Sequence, residues 1–142
     1  SVYDPTPQGL FSAGSKYTSP VGAYTQNPSL TGNVVFGLSY KYQGTVPVGN
    51  RQFTLDFKAA DFTFDATTIS SLVIANGTAT LRGTGAINGA GNYKFLVTGS
   101  ETTGTIRVQI TDSDNIFIYD TQPGQADTAS PTTPVTGNVL AH

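Results

Sequence analysis

Apolar residues recur at every second position in one segment of this chain after another, and that spacing admits little besides β-strands. Phe53, Leu55, Phe57 and Ala59 fall on one side of an extended segment, with Gln52, Thr54, Asp56 and Lys58 on the other. Val34, Phe36, Leu38 and Tyr40 alternate likewise with Val35, Gly37, Ser39 and Lys41. Further on, Tyr93, Phe95 and Val97 alternate with Lys94, Leu96 and Thr98, and Ile106, Val108 and Ile110 with Thr105, Arg107, Gln109 and Thr111. Successive side chains of a strand point to opposite faces, so each set predicts a strand with one buried side. No segment shows convincing helical spacing.

Turn signals separate these runs. Asn76-Gly77 stands between residues 72–75 and 78–82, and a two-residue hairpin needs φ > 0 at both central positions, which Asn-Gly supplies. Residues 87–92 form a second, glycine-rich turn, and residues 112–115 turn the chain into residues 116–119. The apolar set switches from odd to even numbers between Phe57 and Phe62, so Ala59-Ala60-Asp61 is expected to be a bulge or a short turn. Residues 121–134 read as a Pro/Thr/Ser/Asp loop, and residues 136–141 as a last strand. About eight short strands at this spacing predict an all-β fold, an antiparallel β-sandwich or jelly-roll-like domain over residues 14–142. Residues 1–13, with Pro5 and Pro7, are expected to form an extended N-terminal arm.

Composition narrows the function. The chain has no cysteine, a single histidine, His142, and 11% charged residues. Nucleophilic, metal and acid–base chemistry draw on Cys, His and clustered carboxylates, so this chain is not expected to be an enzyme. A net charge of −2 with no basic patch argues against nucleic acid as a partner. No apolar run has the length of a membrane span. The chain begins at Ser1, which reads as a mature protein after signal-peptide removal, with an extracellular or cell-surface location.

Each candidate site has a plainer reading beside it. Asp112 and Asp114 offer oxygens to a Ca²⁺ ion, and they equally satisfy the backbone of a tight turn, the favoured reading. Asp61 and Asp65 would lie about 13 Å apart along a strand, too far for a glycosidase pair. Glu101, the lone Glu, falls in a loop. Tyr17, Tyr24, Tyr40 and Tyr42 would form a sugar-stacking platform if exposed, and half-buried packing with wet hydroxyls is favoured. Asn76-Gly77-Thr78 is an N-glycosylation sequon as well as a turn, and Thr128, Ser130, Thr132 and Thr133 suit O-glycans.

Several further pieces occur in a set order: residues 19–24 (SPVGAY), 28–32 (PSLTG), 36–37 (FG), 40–41 (YK), 46–50 (VPVGN), 83–89 (GTGAING), 118–120 (IYD) and 131–133 (PTT). Through them residues 15–142 resemble the post-COAP domain, a β module of secreted and surface bacterial proteins. The resemblance implies a surface-exposed β domain without catalytic residues. Cofactors are not expected.

These observations lead to a structural subunit that polymerises head-to-tail into a fibril or surface appendage, its partner being another copy of itself. An arm of about 12 residues reaches ~40 Å when extended, enough to add as a strand to a neighbour. Val2, Tyr3, Leu10 and Phe11 are the expected anchors. The alternative is a carbohydrate-binding or adhesive surface module, with glycans as partners.

Overall fold

The computed structural model describes residues 9–43 and 46–142, apart from the side chains of residues 42, 43 and 46–51. Among the described residues the chain forms ten strands and one 3₁₀ turn: β1 (Leu10–Ser19), β2 (Gly32–Gln43), β3 (Val46–Phe57), the turn (Lys58–Ala60), β4 (Phe62–Ala75), β5 (Thr78–Ile87), β6 (Ala90–Ser100), β7 (Thr105–Thr111), β8 (Phe117–Asp120), β9 (Thr133–Pro134) and β10 (Val139–Ala141). All belong to one antiparallel sheet in the order β10-β1-β2-β3-β4-β5-β6-β7-β8, with β9 on β7. The sheet curls into a half-barrel. The expected sandwich of two facing sheets is therefore replaced by one sheet that folds its apolar face onto itself.

The period-two pattern explains which face turns inward. Val34, Phe36, Leu38 and Tyr40 of β2, Phe53, Leu55 and Phe57 of β3, and Phe62 and Phe64 of β4 are all buried. The phase change in the sequence falls at the 3₁₀ turn, where Asp61 takes a left-handed φ of 52° and its N–H bonds the Lys58 carbonyl. The two strands join there as a hairpin, so the inward face is kept although the numbering switches parity. Both Asn-Gly turns are two-residue hairpins with positive φ at each central residue, 56° and 77° at Asn76-Gly77 and 50° and 77° at Asn88-Gly89.

Curvature comes from bulges and from missing side chains. The pairing of β4 with β5 slips twice, between Ala66 and Thr68 and between Ile69 and Ser71. Each slip adds one residue to β4 and sharpens its twist. Opposite them, β5 presents Gly83 and Gly85 inward. A Cβ on Gly83 would overlap the Thr68 carbonyl oxygen and lie 2.8 Å from the Phe95 ring, and one on Gly85 would lie 2.6 Å from the Phe64 ring. The two glycines let Phe64 and Phe95 lean across β5 and meet Phe53, with ring centroids 5.2–5.7 Å apart. Such tilted and edge-on pairs add attraction beyond area burial.

A second aromatic group closes the other end. Tyr119 packs against Phe57 and Phe62, and its hydroxyl shares hydrogen bonds with Tyr17 and Ser19, both 2.9 Å. Tyr17 sits on β1 and Tyr119 on β8, so this bond ties the two flanks of the sheet across the inside. Burial is the main cause that pushes the Tyr119 phenol up to about 12, and burial likewise raises Tyr17 well above the ordinary value.

The N-terminal boundary differs from expectation. Residues 10–13 are the start of β1, paired with β2 on one side and, through Phe11–Ala13, with β10 on the other. Phe11 is fully buried beside Gly99, and Leu10 exchanges backbone hydrogen bonds with His142. Leu10 and Phe11 are thus core and sheet residues of their own subunit. Residues 10–13 are therefore no part of an arm.

Two outcomes follow from this architecture. Gly83→Ala is expected to destabilise by about 1–3 kcal/mol, because the new methyl meets a backbone carbonyl that cannot swing aside; urea unfolding measures it, and a change under 0.5 kcal/mol would refute the close approach. The buried phenols also set an alkaline limit. Their folded pKa lies above the unfolded value of 10.0, so their contribution to stability is whole below pH 10 and is lost as pH rises toward about 12. The urea midpoint should fall across that window, with a delayed phase in tyrosinate absorbance that Tyr17→Phe reduces.

Candidate functional site

The outward face of β5, β6 and β7 gathers the chain's polar side chains into rows. Cross-strand pairing places Arg82, Leu96, Gln109 and Asp120 in one row, and Thr84, Lys94, Thr111 and Phe117 in the next. Thr80, Thr98 and Arg107 form a third. An outward face normally meets water. Here residues 121–132 fold back over Arg107 of the third row, where Arg107 and Thr98 are buried and Thr80 is half-buried.

Arg107 is the fastening. Its side chain is fully buried. Nε and Nη2 donate to the two oxygens of Asp120 at 3.2 and 3.0 Å, a two-pronged pair. Nη1 donates to the Ala126 carbonyl and Nη2 to those of Gln125 at 3.0 Å and Gln122 at 3.4 Å. One guanidinium thus holds three loop carbonyls, using the rigid donor fork that lysine lacks. Asp120 is satisfied in turn by the Gln122 N–H at 2.8 Å and by Gln109 Nε2 at 3.4 Å. Gln122 continues the network, donating to the Ser130 carbonyl and accepting from the Thr132 N–H, both at 3.0 Å.

Between this strap and the 112–116 turn lies an open groove of about 260 Å³. Leu96 forms part of its floor and is 2% exposed. On one side Asp127 of the strap reaches Arg82 of β5 at 3.5 Å. On the other, Lys94 of β6 donates to Asn115 Oδ1 at 3.0 Å, and Phe117 stands at the rim, 49% exposed.

A second opening lies within the sheet. The β3–β4 ladder has only four pairs, from Thr54–Asp65 to Phe57–Phe62. Beyond Thr54 and Asp65 the strands part, β3 continuing along β2 and β4 along β5. Both carry two register shifts there, and such irregularities bend and twist a strand locally. Other margins among the described residues are partly covered by the chain itself. β10 covers β1, while β8 and β9 share the outer side of β7. The Ala23 carbonyl and Thr25 N–H bond β8, and Glu101 takes the outward Ala141 N–H at 3.1 Å. The Glu101 carboxyl also bonds His142 Nδ1 at 2.6 Å, and this partner holds it below the usual carboxylate range.

The sequence candidates disperse over this frame. Asn76 is exposed at its hairpin tip, and Thr128, Ser130 and Thr132 are exposed on or beside the strap. Thr133 is 8% exposed within β9, so it is not available to a glycan. Asp112 Oδ1 accepts the N–H groups of Asp114 and Ile116 at 2.8 and 2.9 Å, the turn's own bonds. No cluster of three or more His, Asp or Glu with metal-site geometry occurs among the described residues. Tyr17 and Tyr40 are core residues, and Tyr24 packs edge-on against Phe57 and Phe62, so these three make no platform. The side chain of Tyr42, like Val2 and Tyr3, lies outside the described residues. Asp61 and Asp65 are exposed separately, in the 3₁₀ cap and on β4.

Sequence reasoning placed Arg107 and Gln109 on a wet face and missed both the fastening and the groove. An arginine between Ile106 and Val108 has the alternation of any half-exposed strand, and nothing local marks the loop that covers it. No helix among the described residues is long and apolar enough to cross a membrane. No family model matches the chain, no curated protein matches it, and no solved structure matches it, so the post-COAP resemblance gains no support.

Two substitutions separate the roles on this face. Arg107→Met leaves the buried Asp120 carboxylate and three loop carbonyls without their donor, and is expected to cost about 3–5 kcal/mol in urea unfolding, with loss of hydrogen-exchange protection over residues 121–132. Its row neighbour Thr98 has a buried hydroxyl that lacks a hydrogen-bond partner. Thr98→Val removes that orphan at nearly constant shape and is expected to be neutral or stabilising by about 1 kcal/mol.

Proposed function

We propose that this protein is an extracellular structural subunit that assembles with copies of itself by strand addition, with residues 1–8 of one copy entering the split between β3 and β4 of the next. The split carries this reading: among the described residues, β3 and β4 are neighbouring strands joined by a hairpin whose pairing stops after four residue pairs while both strands run on. A parted sheet is a template for an incoming strand.

The segment before β1 has the pattern such a strand needs. Tyr3, Pro5 and Pro7 share one face of an extended chain, and Asp4, Thr6 and Gln8 share the other. The two prolines lack donors on the same edge, so the segment pairs fully with one flank and only through carbonyls with the other. Eight residues span ~26 Å as a strand. Because Leu10 and Phe11 belong to their own sheet, the donated anchors reduce to Val2 and Tyr3. A donor and an acceptor on different surfaces of one subunit give a contact that repeats without closing, hence a filament.

The absence of cysteine from the chain makes a direct test clean. A variant with Val2→Cys and Val73→Cys, the latter on the exposed side of β4, is oxidised and run without reductant. A ladder of disulfide-linked oligomers, together with filaments in electron micrographs that disappear when residues 1–8 are deleted, is the expected result. A cross-link confined to monomers places the segment in its own sheet and overturns the proposal, as do filaments that survive the deletion or an absence of filaments in the native protein.

A further inference from the structure

The groove between the strap and the 112–116 turn has the make-up of a ligand site and no part in the assembly proposed above. Three observations separate it from an ordinary surface dip. Seven of the chain's eight phenylalanines are buried in the core, and Phe117 alone is exposed, at this rim. Ile116 beside it is 60% exposed, so the turn offers an apolar lip to solvent. The charge is also local: among the residues that line the groove, Arg82 and Lys94 against Asp127 leave a surplus of one positive charge, with Asp112 and Asp114 of the turn standing outside that lining. Finally, the wall is rigid. The strap that presents Asp127 is fixed from beneath by the buried Arg107–Asp120 pair, so groove and ligand would not have to order it on binding.

The ligand is limited by size and chemistry. A volume of about 260 Å³ lies just under the ~300–1,000 Å³ of pockets for drug-sized molecules, which suits a single ring with its substituents. An exposed aromatic beside hydrogen-bonding side chains matches a sugar, which has an apolar face and a rim of hydroxyls. A single surplus positive charge matches one carboxylate. Both cations already have partners, Asp127 for Arg82 and Asn115 for Lys94, and this weak, shareable pairing favours a monoanion over a phosphate.

We propose that this groove binds an acidic sugar residue, a pyranose bearing one carboxylate. Phe117 stacks on the apolar face of the ring. Lys94 and Arg82 meet the carboxylate, while Gln109, Asn115 and Asp127 take hydroxyls. No bond is made or broken.

Calorimetric titration of the intact chain with trigalacturonate, and with its neutral counterpart galactotriose, tests this. Trigalacturonate should bind and galactotriose should bind at least tenfold more weakly. Lys94→Gln and Phe117→Ala should each weaken trigalacturonate binding at least tenfold without moving the thermal unfolding midpoint. Lys58→Gln, an exposed cation on the 3₁₀ turn, should leave it unchanged, and affinity should fall as salt rises. Equal binding of the neutral sugar, an equal loss in Lys58→Gln, indifference to both groove substitutions, or no binding at millimolar trigalacturonate would each overturn the proposal.

Discussion

A single sheet has no second layer against which to bury its apolar face, so this fold depends on the sheet curling far enough to bury that face against itself. The inward residues of β2, β3 and β4 are large, mostly Phe, Leu and Tyr, and a flat sheet would leave them wet. Curling brings β3, β4 and β6 close enough for Phe53, Phe64 and Phe95 to touch. The strand between, β5, has to be thin for that to happen, and Gly83 and Gly85 make it so. The bulges in β4 supply the bend at the same level. Aromatic bulk, glycine thinness and bulges are one solution to one constraint.

Curling leaves margins, and the C-terminal third covers them. After β8 the chain crosses the outer face of β7 as the strap, pairs with β7 as β9, reaches β1 through the Thr136 N–H to the Lys16 carbonyl at 3.0 Å, and pairs with β1 as β10. One segment therefore spans the gap between the two flanks. The Tyr17–Tyr119 bond ties the same flanks from inside. A buried ion pair is weak evidence of stability, since charges lose hydration. At Arg107 the gain lies in geometry: a planar donor fixes three carbonyls of a loop that has few apolar groups of its own.

The curl and the strap both bear on function. The β3–β4 pairing stops after four pairs, and that leaves the split that would receive an added strand. Fastening the strap is what covers β7, and it also raises the wall of the groove. The proposed assembly and the proposed sugar site thus occupy different places on one rigid body.

The sequence by itself determined the strands and their inward faces. Period-two alternation at residues 34–40, 53–57 and 93–97 depends only on the geometry of an extended chain, and Asn76-Gly77 marks its hairpin because few other residue pairs accept two positive φ values. The tertiary structure decided what alternation leaves open. The same pattern serves two facing sheets or one curled sheet, since either buries one side of every strand. Phe11 looked like a free anchor until pairing with β2 and β10 placed it in the core. Arg107 acquires its role from loop carbonyls 15 to 19 positions further along the chain, and Arg82 meets Asp127 only because that loop crosses the sheet. Local spacing records the direction a side chain points, and only the assembled chain records what it meets there.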